Sequence, residues 1–426
     1  MRVAAHTLGC KLNFAETSQL LRRFAQAGHT VVDFHEEADL YIVNTCTVTA
    51  VAERKCRTAI RQAVRQNPKA QVAVVGCFAQ NGRQQIEKIE GVTWILGNDE
   101  KHRLPEIVER AEKAESELSA ELIKDGRWEF AGAWSSGDRT RAFLKIQDGC
   151  DYFCTYCAIP QARGRSRSAT IEEVVKMAEE CAKSGAKEIV LTGVNTGTFG
   201  QQRGESFIEL LRKLDDIESI ARYRISSIEP NLITDEIIEF TARSRAFLPH
   251  FHIPLQAGSD NVLRLMHRHY DTALYREKVE KIKSEMPDAC IAADIIAGCN
   301  GETEDDFGEA KAFLNTLPLS YLHVFTYSER PNTMALKITP KTDMHQRRKR
   351  SQELHELSEK KMRAFVESQV GKEREVLWES SRHDGEMYGL TDNYIRVRRE
   401  YDPELSNTVT EVVLSEENIV VGAPTD

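Results

Sequence analysis

The sequence predicts an α/β protein in three parts: an open parallel α/β domain, a partial (β/α)6 barrel and a small β-barrel at the carboxy terminus. Three observations carry this. Up to about residue 100, β-rich runs alternate with helical stretches. From Thr140 to Ser328, six more strand-like runs recur with helical patterns between them. After Gly371 the period changes to short strands without helices. Alternating strands and helices build parallel sheets, and consecutive short strands build small β-barrels. The boundaries fall at 1–125, 126–366 and 367–426.

In the first part, RVAAHTL, DLYIVNT and QVAVVG are the strand runs. Each ends at a cysteine: Cys10 in TLGCKLN, Cys46 in VNTCTV and Cys77 in VVGCFAQ. The carboxyl ends of such strands form the ligand crevice of an open α/β sheet. A single cysteine there would be a small buried hydrophobe. Three at equivalent positions point to a metal cluster with three protein ligands. Cys56, inside the basic helical run ERKCRTAIRQ, reads as structural. A charged helical stretch spans about Leu104 to Lys124. The Gly- and Ser-bearing DGRWEFAGAWSSGDRTR then reads as a linker, with Trp128 and Trp134 packing against a neighbour.

The barrel strands are AFLKIQDG, EIVLTG, RYRISSIE, FHIPLQ, IAADIIAG and LHVFTYS. One intervening helix is expected from Thr170 to Ala186, and another begins at Thr303 with Asp306 completing a capping-box-like pair. Barrel active sites lie at the carboxyl ends of the strands. The first run stops at Gly149, immediately before Cys150. A basic, then mixed-charge helix, MHQRRKRSQELHELSEKKMRAFVE, follows the barrel. The last part reads as five strands: EREVLWES, GEMYGL, NYIRVRR, TVTEVVL and NIVVG.

The 426 residues are 41% apolar with a mean hydropathy of −0.45, ordinary for a water-soluble globular chain. No apolar run approaches the ~18 residues of a membrane span, and MRVAAHTLGCKLNF lacks a signal-peptide layout. Ten cysteines in clustered spacing favour metal over disulfides, hence a reducing compartment, and the cytoplasm is expected. The net charge of −9 argues against a broad nucleic-acid surface, so local basic patches would have to supply one.

Cys150, Cys154 and Cys157 stand at CxxxCxxC spacing. Three thiolates that close can hold three irons of a 4Fe–4S cluster, leaving the fourth iron open. An open iron can chelate S-adenosylmethionine, whose reductive cleavage gives a 5′-deoxyadenosyl radical. Zinc would ask for a fourth ligand, usually from a second CxxC pair, and none is present. The spacing matches the signature of the radical S-adenosylmethionine superfamily, with Tyr156 placed for a base to pack on. Gly193 and Asn195 in LTGVNTG would approach the methionyl amino group. Ser227, Glu229 and Gln256 end later strands, where they could bind ribose hydroxyls. Arg163, Arg165 and Arg167 in QARGRSRS could grip an anionic substrate. Arg347 to Arg350 in RRKR, with Arg396, Arg398 and Arg399, could contact phosphates. His6, His250 and His252 show no ligand spacing.

Over nearly its whole length the chain resembles the methylthiotransferases of that superfamily. The resemblance rests on TLGCKLNFAET, NTCTVT, VVGCFAQ, GCDYFCTYCAIPQARGRSRS, HIPLQAGSDNVLRLMHR, GETEDDF and HVFTYSERPNTMA, and the tail resembles a TRAM domain. It implies two 4Fe–4S clusters: a radical cluster on Cys150, Cys154 and Cys157, and an auxiliary, sulfur-carrying cluster on Cys10, Cys46 and Cys77. One S-adenosylmethionine methylates the sulfur; a second is cleaved so that its radical removes hydrogen from the carbon that receives the methylthio group. GCKLNFAET and FTYSERPNT are most similar to the branch acting on N6-threonylcarbamoyladenosine beside the tRNA anticodon. That substrate's carboxylate would pair with Arg163 or Arg165. The resemblance also implies a flavodoxin-like or ferredoxin-like electron donor, a sulfur source and a monomer. AGCNGET departs from the family pattern at Cys299 and Asn300. From Gly371 onward, acidic residues outnumber basic ones by about two to one, which suits a basic ribosomal-protein substrate as the alternative to an isopentenyladenosine or threonylcarbamoyladenosine tRNA. A non-catalytic iron–sulfur RNA-binding protein is the reading from another class.

Overall fold

The computed structural model describes residues 1–112, 130–135 and 140–422. Its first unit is a five-stranded, all-parallel sheet. The strands are β1 (Arg2–Thr7), β2 (Thr30–Val32), β3 (Leu40–Thr45), β4 (Gln71–Gly76) and β5 (Trp94–Leu96), in the order β2-β1-β3-β4-β5. The strand order reverses between β1 and β3, and ligands bind such sheets at that switch point. Cys10 follows β1 and Cys46 follows β3, one on each side of it.

The charged helix after this sheet is described over Leu104–Glu112. Trp128 and most of the linker lie outside the described residues. Trp134 is buried in the barrel core beneath the Arg22 guanidinium, whose carbon stands 3.8 Å from the ring centre.

All six barrel runs form parallel strands: Arg141–Lys145, Glu188–Thr192, Arg222–Ile225, His250–His252, Cys290–Ala297 and Tyr321–Thr326. They divide into two three-strand ladders, joined by a Tyr223–Phe247 bridge and by the Ile228 N–H donating to the His252 carbonyl at 3.2 Å. The result is a half-barrel, open on one side. The helices Ile171–Lys183 and Glu304–Thr316 begin with full capping boxes at Thr170/Glu173 and Thr303/Asp306. Each satisfies backbone N–H groups that a helix start would otherwise leave unpaired.

The amino-terminal helix Lys11–Gln26 lies across the barrel strands, with Phe14 and Ala15 packed on Phe143 and Val190. The helix Met344–Glu367 covers the last strand. Beyond it, Glu373–His383, Glu386–Thr391, Arg396–Glu400 and Val409–Val413 make a curled antiparallel sheet of four strands. The expected fifth strand, NIVVG, contributes an isolated Val397–Ile419 bridge flanked by two hydrogen bonds. A turn from Ser415 to Asn418 occupies the residues that a longer ladder would need. Met362, Phe365 and Val366 share one core with this sheet and with Cys290 and Tyr321 of the barrel.

Candidate active site

Cys150, Cys154 and Cys157 occupy the loop between the first barrel strand and the short helix Ile159–Arg163. Each sulfur accepts one hydrogen bond. Cys150 Sγ takes the Tyr152 N–H at 3.5 Å, Cys157 Sγ the Ile159 N–H at 3.4 Å, and Cys154 Sγ an Arg268 N–H at 2.9 Å. Such donors stabilise thiolates and tune the potential of a cluster bound to them. Burial pushes the Cys150 thiol up to about 11 and Cys157 to about 12. Burial opposes ionisation of these thiols, so metal binding here is coupled to proton release.

The other trio is assembled by three strand-end loops of the first sheet. The Asn13 amide holds two of them together, donating to Leu8 O at 2.7 Å and Thr45 O at 3.1 Å. Cys46 lies against Gly9, the residue before Cys10. A Cβ added at Gly9, where φ is +110°, would stand 2.8 Å from Cys46 Cβ and 3.2 Å from its Sγ. Cys56 supports the same loop, its sulfur accepting the Cys46 N–H at 3.3 Å. Cys77 opens the helix Cys77–Asn81, and its Sγ accepts from Asn98 Nδ2 at 3.4 Å. Burial first, then the neighbouring Cys77 and Cys10, push the Cys46 thiol up to about 12.

Gly9→Ala is expected to strain the left-handed backbone and displace Cys46, at about 1–3 kcal/mol. Iron analysis of the purified variant should show the amino-terminal site empty and the other filled.

Hydrogen bonds tie the segments that carry the two trios together. Asn98 Nδ2 also donates to Ala162 O at 2.7 Å, and Asn81 Nδ2 to Ala158 O at 3.4 Å, tying the Cys77 helix to the segment after Cys157. Arg330, in the SERPNT loop of the barrel, pairs with Glu53 and donates to Thr47 Oγ1 at 3.3 Å, which holds the Cys46 loop against the barrel. A cleft of about 260 Å³ opens beside Cys10 at the barrel strand ends, lined by Cys10, Phe143, Gly193, Ser227 and His252 among others.

The structure places the remaining sequence-predicted residues as follows. Asn195 is buried beside the Tyr152 hydroxyl, and neither atom of its amide has a well-formed hydrogen bond, so it has donors and an acceptor to offer a polar ligand. Gly193 lines the cleft. Tyr156 packs against the barrel core with its hydroxyl 3.5 Å from Arg268 Nη1. Glu229 is engaged by Arg268, which also reaches Cys154. Gln256 sits in the left-handed region at φ +66°, bridged to Ile295. Ser227 Oγ is 2.9 Å from His252 Nδ1.

The arginines need correction. Arg163, 1% exposed, is no open substrate grip. It bonds Glu16 at 3.2 Å, Asp148 at 2.9 Å and Asn13 at 2.6 Å. Arg167 pairs with Asp148 at 2.9 Å. Lys145 joins both carboxylates, at 2.7 Å to Glu16 and 2.8 Å to Asp148, and Lys101 also pairs with Glu16. This buried network spans the interface between the first unit and the barrel. Only Arg165 faces solvent, with its side chain 78% exposed and its guanidinium over the ring of Phe153. In RRKR, Arg347 and Arg350 are buried in pairs with Glu329 and Glu302, leaving Arg348 and Lys349 exposed.

Spacing along the chain gave no sign of two groups. Arg268 is one. The other is His252, Asp294 and His323, whose ligand atoms lie within 4.8 Å of one another on three adjacent strands. His252 Nε2 meets Asp294 Oδ1 at 2.7 Å, which makes a hydrogen-bonded pair continuing through His252 Nδ1 to Ser227. Asp294 is the one charged residue in the apolar strand run IAADIIA, and that was the one available signal.

A half-barrel with three cysteines in the loop after its first strand has the layout of a radical S-adenosylmethionine protein. Comparison with known proteins agrees. Residues 2–97 match the family described as Uncharacterized protein family UPF0004, and residues 144–314 match the Radical SAM superfamily. Threonylcarbamoyladenosine tRNA methylthiotransferases MtaB of Bacillus subtilis and Aquifex aeolicus are 38% and 39% identical, over 93% and 96% of this chain and 89% and 99% of theirs. A tRNA-2-methylthio-N(6)-dimethylallyladenosine synthase of Dictyoglomus thermophilum is 32% identical over 94% of this chain and 92% of its own. The radical S-adenosylmethionine methyltransferase TsrM of Kitasatospora setae superposes with a TM-score of 0.58 at 14% identity, covering 79% of this chain and 75% of that one. That likeness shows the fold. The chain belongs to the radical S-adenosylmethionine methylthiotransferase family, and it is an enzyme whose chemistry uses a 4Fe–4S cluster and S-adenosylmethionine.

Proposed function

We propose that the enzyme inserts a methylthio group at carbon 2 of N6-threonylcarbamoyladenosine next to the anticodon of tRNA. The observation that carries this is the pair of hydrogen bonds that tie the Cys77 helix region to the segment after Cys157, beside a cleft lined by Cys10, in a chain most of whose length aligns with threonylcarbamoyladenosine tRNA methylthiotransferases. When bound, the cluster on Cys150, Cys154 and Cys157 supplies the electron that splits S-adenosylmethionine, and a second 4Fe–4S cluster on Cys10, Cys46 and Cys77 supplies the sulfur. The chain's own residues do the rest. Gly193 and Asn195 receive the methionyl end of the cofactor. Arg268 holds Cys154 and Glu229 in register. Asn13, Asn98 and Arg330 hold the loops that carry the two sites in place against one another and the barrel.

Exposed Arg165 with Phe153, and Arg348 with Lys349, offer contacts to phosphate and to an unstacked base. Among the described residues no helix is long and apolar enough to cross a membrane. The cytoplasm, where tRNA and a reductant of the flavodoxin or ferredoxin type are found, is the proposed location, and the chain is proposed to act as a monomer. Expression in a host that makes threonylcarbamoyladenosine but lacks its methylthio derivative tests the assignment. Mass spectrometry of digested tRNA should show the derivative appear. A methylthio group on dimethylallyladenosine instead would move the assignment to the other tRNA branch.

A further inference from the structure

The helix Ala50–Gln66 carries five cations, Arg54, Lys55, Arg57, Arg61 and Arg65, and one carboxylate, Glu53. In a chain with a net charge of −9, composition alone does not supply such a concentration. Helical period sorts the residues. Cys56, Ala59, Ile60 and Ala63 are buried against the first sheet. Arg54, Arg61 and Arg65, at i, i+7 and i+11, recur on the opposite face and are exposed, as is Lys55 beside them. Glu53 is turned away to Arg330 of the barrel. Arg57 donates to Gln85 Oε1 at 3.3 Å, and Arg65 to Arg61 O at 3.2 Å, both neutral acceptors. Among the described residues, none of the five cations is paired with a carboxylate.

The start of this helix is fixed beside the amino-terminal cysteine trio. Thr49 caps it, accepting the Ala52 N–H at 3.0 Å, and Cys56 Sγ accepts the Cys46 N–H at 3.3 Å. The Ala50 N–H donates to Ser328 Oγ of the barrel at 3.2 Å. From there the row from Arg54 to Arg65 extends over roughly 17 Å, at about 1.5 Å per residue. A row of unpaired cations on one exposed face is the footprint of a polyanion. Nucleic acid and an acidic protein both have that chemistry. An electron-donating protein has to approach the loop of Cys150, Cys154 and Cys157, whereas this helix starts from the Cys46 loop. Cys46 in turn lies against Gly9, and Gly9 lines the cleft beside Cys10. A base held in that cleft brings its backbone past the Cys46 loop. Given the tRNA reading above, on which this rests, we propose that the helix Ala50–Gln66 is a phosphate-binding surface for tRNA. Arg54, Arg61 and Arg65 neutralise phosphates of the strand that leads away from the modified adenosine. These contacts read no base; they set affinity and orientation.

The test uses the full-length, cluster-loaded enzyme and compares wild type with two triple variants. One carries Arg54→Gln, Arg61→Gln and Arg65→Gln. The other carries Arg54→Lys, Arg61→Lys and Arg65→Lys. Circular dichroism and iron content check that each variant is folded and loaded. Binding of tRNA bearing threonylcarbamoyladenosine is read by fluorescence anisotropy over a range of salt, and methylthio product by mass spectrometry. Loss of three phosphate contacts predicts that the slope of log Kd against log salt falls by roughly two to three in the glutamine variant. Its affinity at low salt should fall about 10- to 100-fold. The lysine variant should keep the wild-type slope. If wild type converts the tRNA and the glutamine variant binds it with wild-type affinity and slope, the surface is overturned and the proposed function stands. Slower reduction of that variant by reduced flavodoxin, with tRNA binding unchanged, would give the helix to the electron donor and overturn the proposal in the same way. If wild type neither binds tRNA in a salt-dependent manner nor converts it, both readings fall.

Discussion

A chain with Cys10, Cys46 and Cys77 all changed to alanine is expected to keep cleaving S-adenosylmethionine to 5′-deoxyadenosine while forming no methylthio product. The two trios are held by separate elements, the first by strand-end loops of the parallel sheet and the second by the loop before Ile159–Arg163. The hydrogen bonds to Cys150, Cys154 and Cys157 come from Tyr152, Ile159 and Arg268, none of which belongs to the first sheet. Emptying the first site therefore leaves the second intact, and iron content should fall by half. The reverse change, Cys157→Ser, is expected to abolish 5′-deoxyadenosine as well. Chromatography of the nucleoside products, with iron analysis of each variant, separates these outcomes. Loss of 5′-deoxyadenosine in the triple alanine variant would mean that the sites do not divide the work as proposed.

Glu16→Gln is expected to loosen the first unit from the barrel by about 3–5 kcal/mol, the usual cost of removing one partner from a buried ion network. Glu16 is 6% exposed and faces Lys101, Lys145 and Arg163. An amide there leaves three cations with too little compensating charge. Hydrogen exchange along Lys11–Gln26 should accelerate in the variant, since that helix carries Glu16 and lies on the barrel. The same network fixes a pH dependence. Burial raises the carboxyls of Glu16 and Asp148, but the surrounding cations win and hold both below the ordinary range. A depressed folded-state value stabilises above the unfolded value of about 4 and is lost as pH falls below it. The cluster-free wild type should therefore undock progressively below about pH 4, and Glu16→Gln should show a shallower dependence.

What could be found in the sequence was what local spacing encodes. The six barrel strands, the capping box at Thr303 and Asp306 and the helix Met344–Glu367 formed where periodicity and end signals put them. The placement of Cys10, Cys46, Cys77 and Cys150 just after strands was legible because strand ends are marked locally. The arginines after the cluster were not. Alternation with small residues in QARGRSRS looks like a solvated turn, and the carboxylates that bury Arg163 and Arg167 come from residues 16 and 148. Helical period could have sorted RRKR, because Arg347, Arg350, Ser351 and Leu354 share the buried face of their helix. His252, Asp294 and His323 meet only through strand pairing, which no linear spacing carries. The fifth carboxy-terminal strand was over-read because NIVVG has strand composition, whereas the turn before it leaves room for one bridge.

The central claim is that a radical made at Cys150, Cys154 and Cys157 removes hydrogen from carbon 2 of the modified adenosine. The direct measurement uses an anticodon stem-loop RNA with threonylcarbamoyladenosine deuterated at carbon 2. It is incubated anaerobically with the reconstituted enzyme, S-adenosylmethionine and reductant. Deuterium in the recovered 5′-deoxyadenosine, together with a methylthiolated nucleoside, is the predicted result. Undeuterated 5′-deoxyadenosine with the RNA unchanged would contradict it.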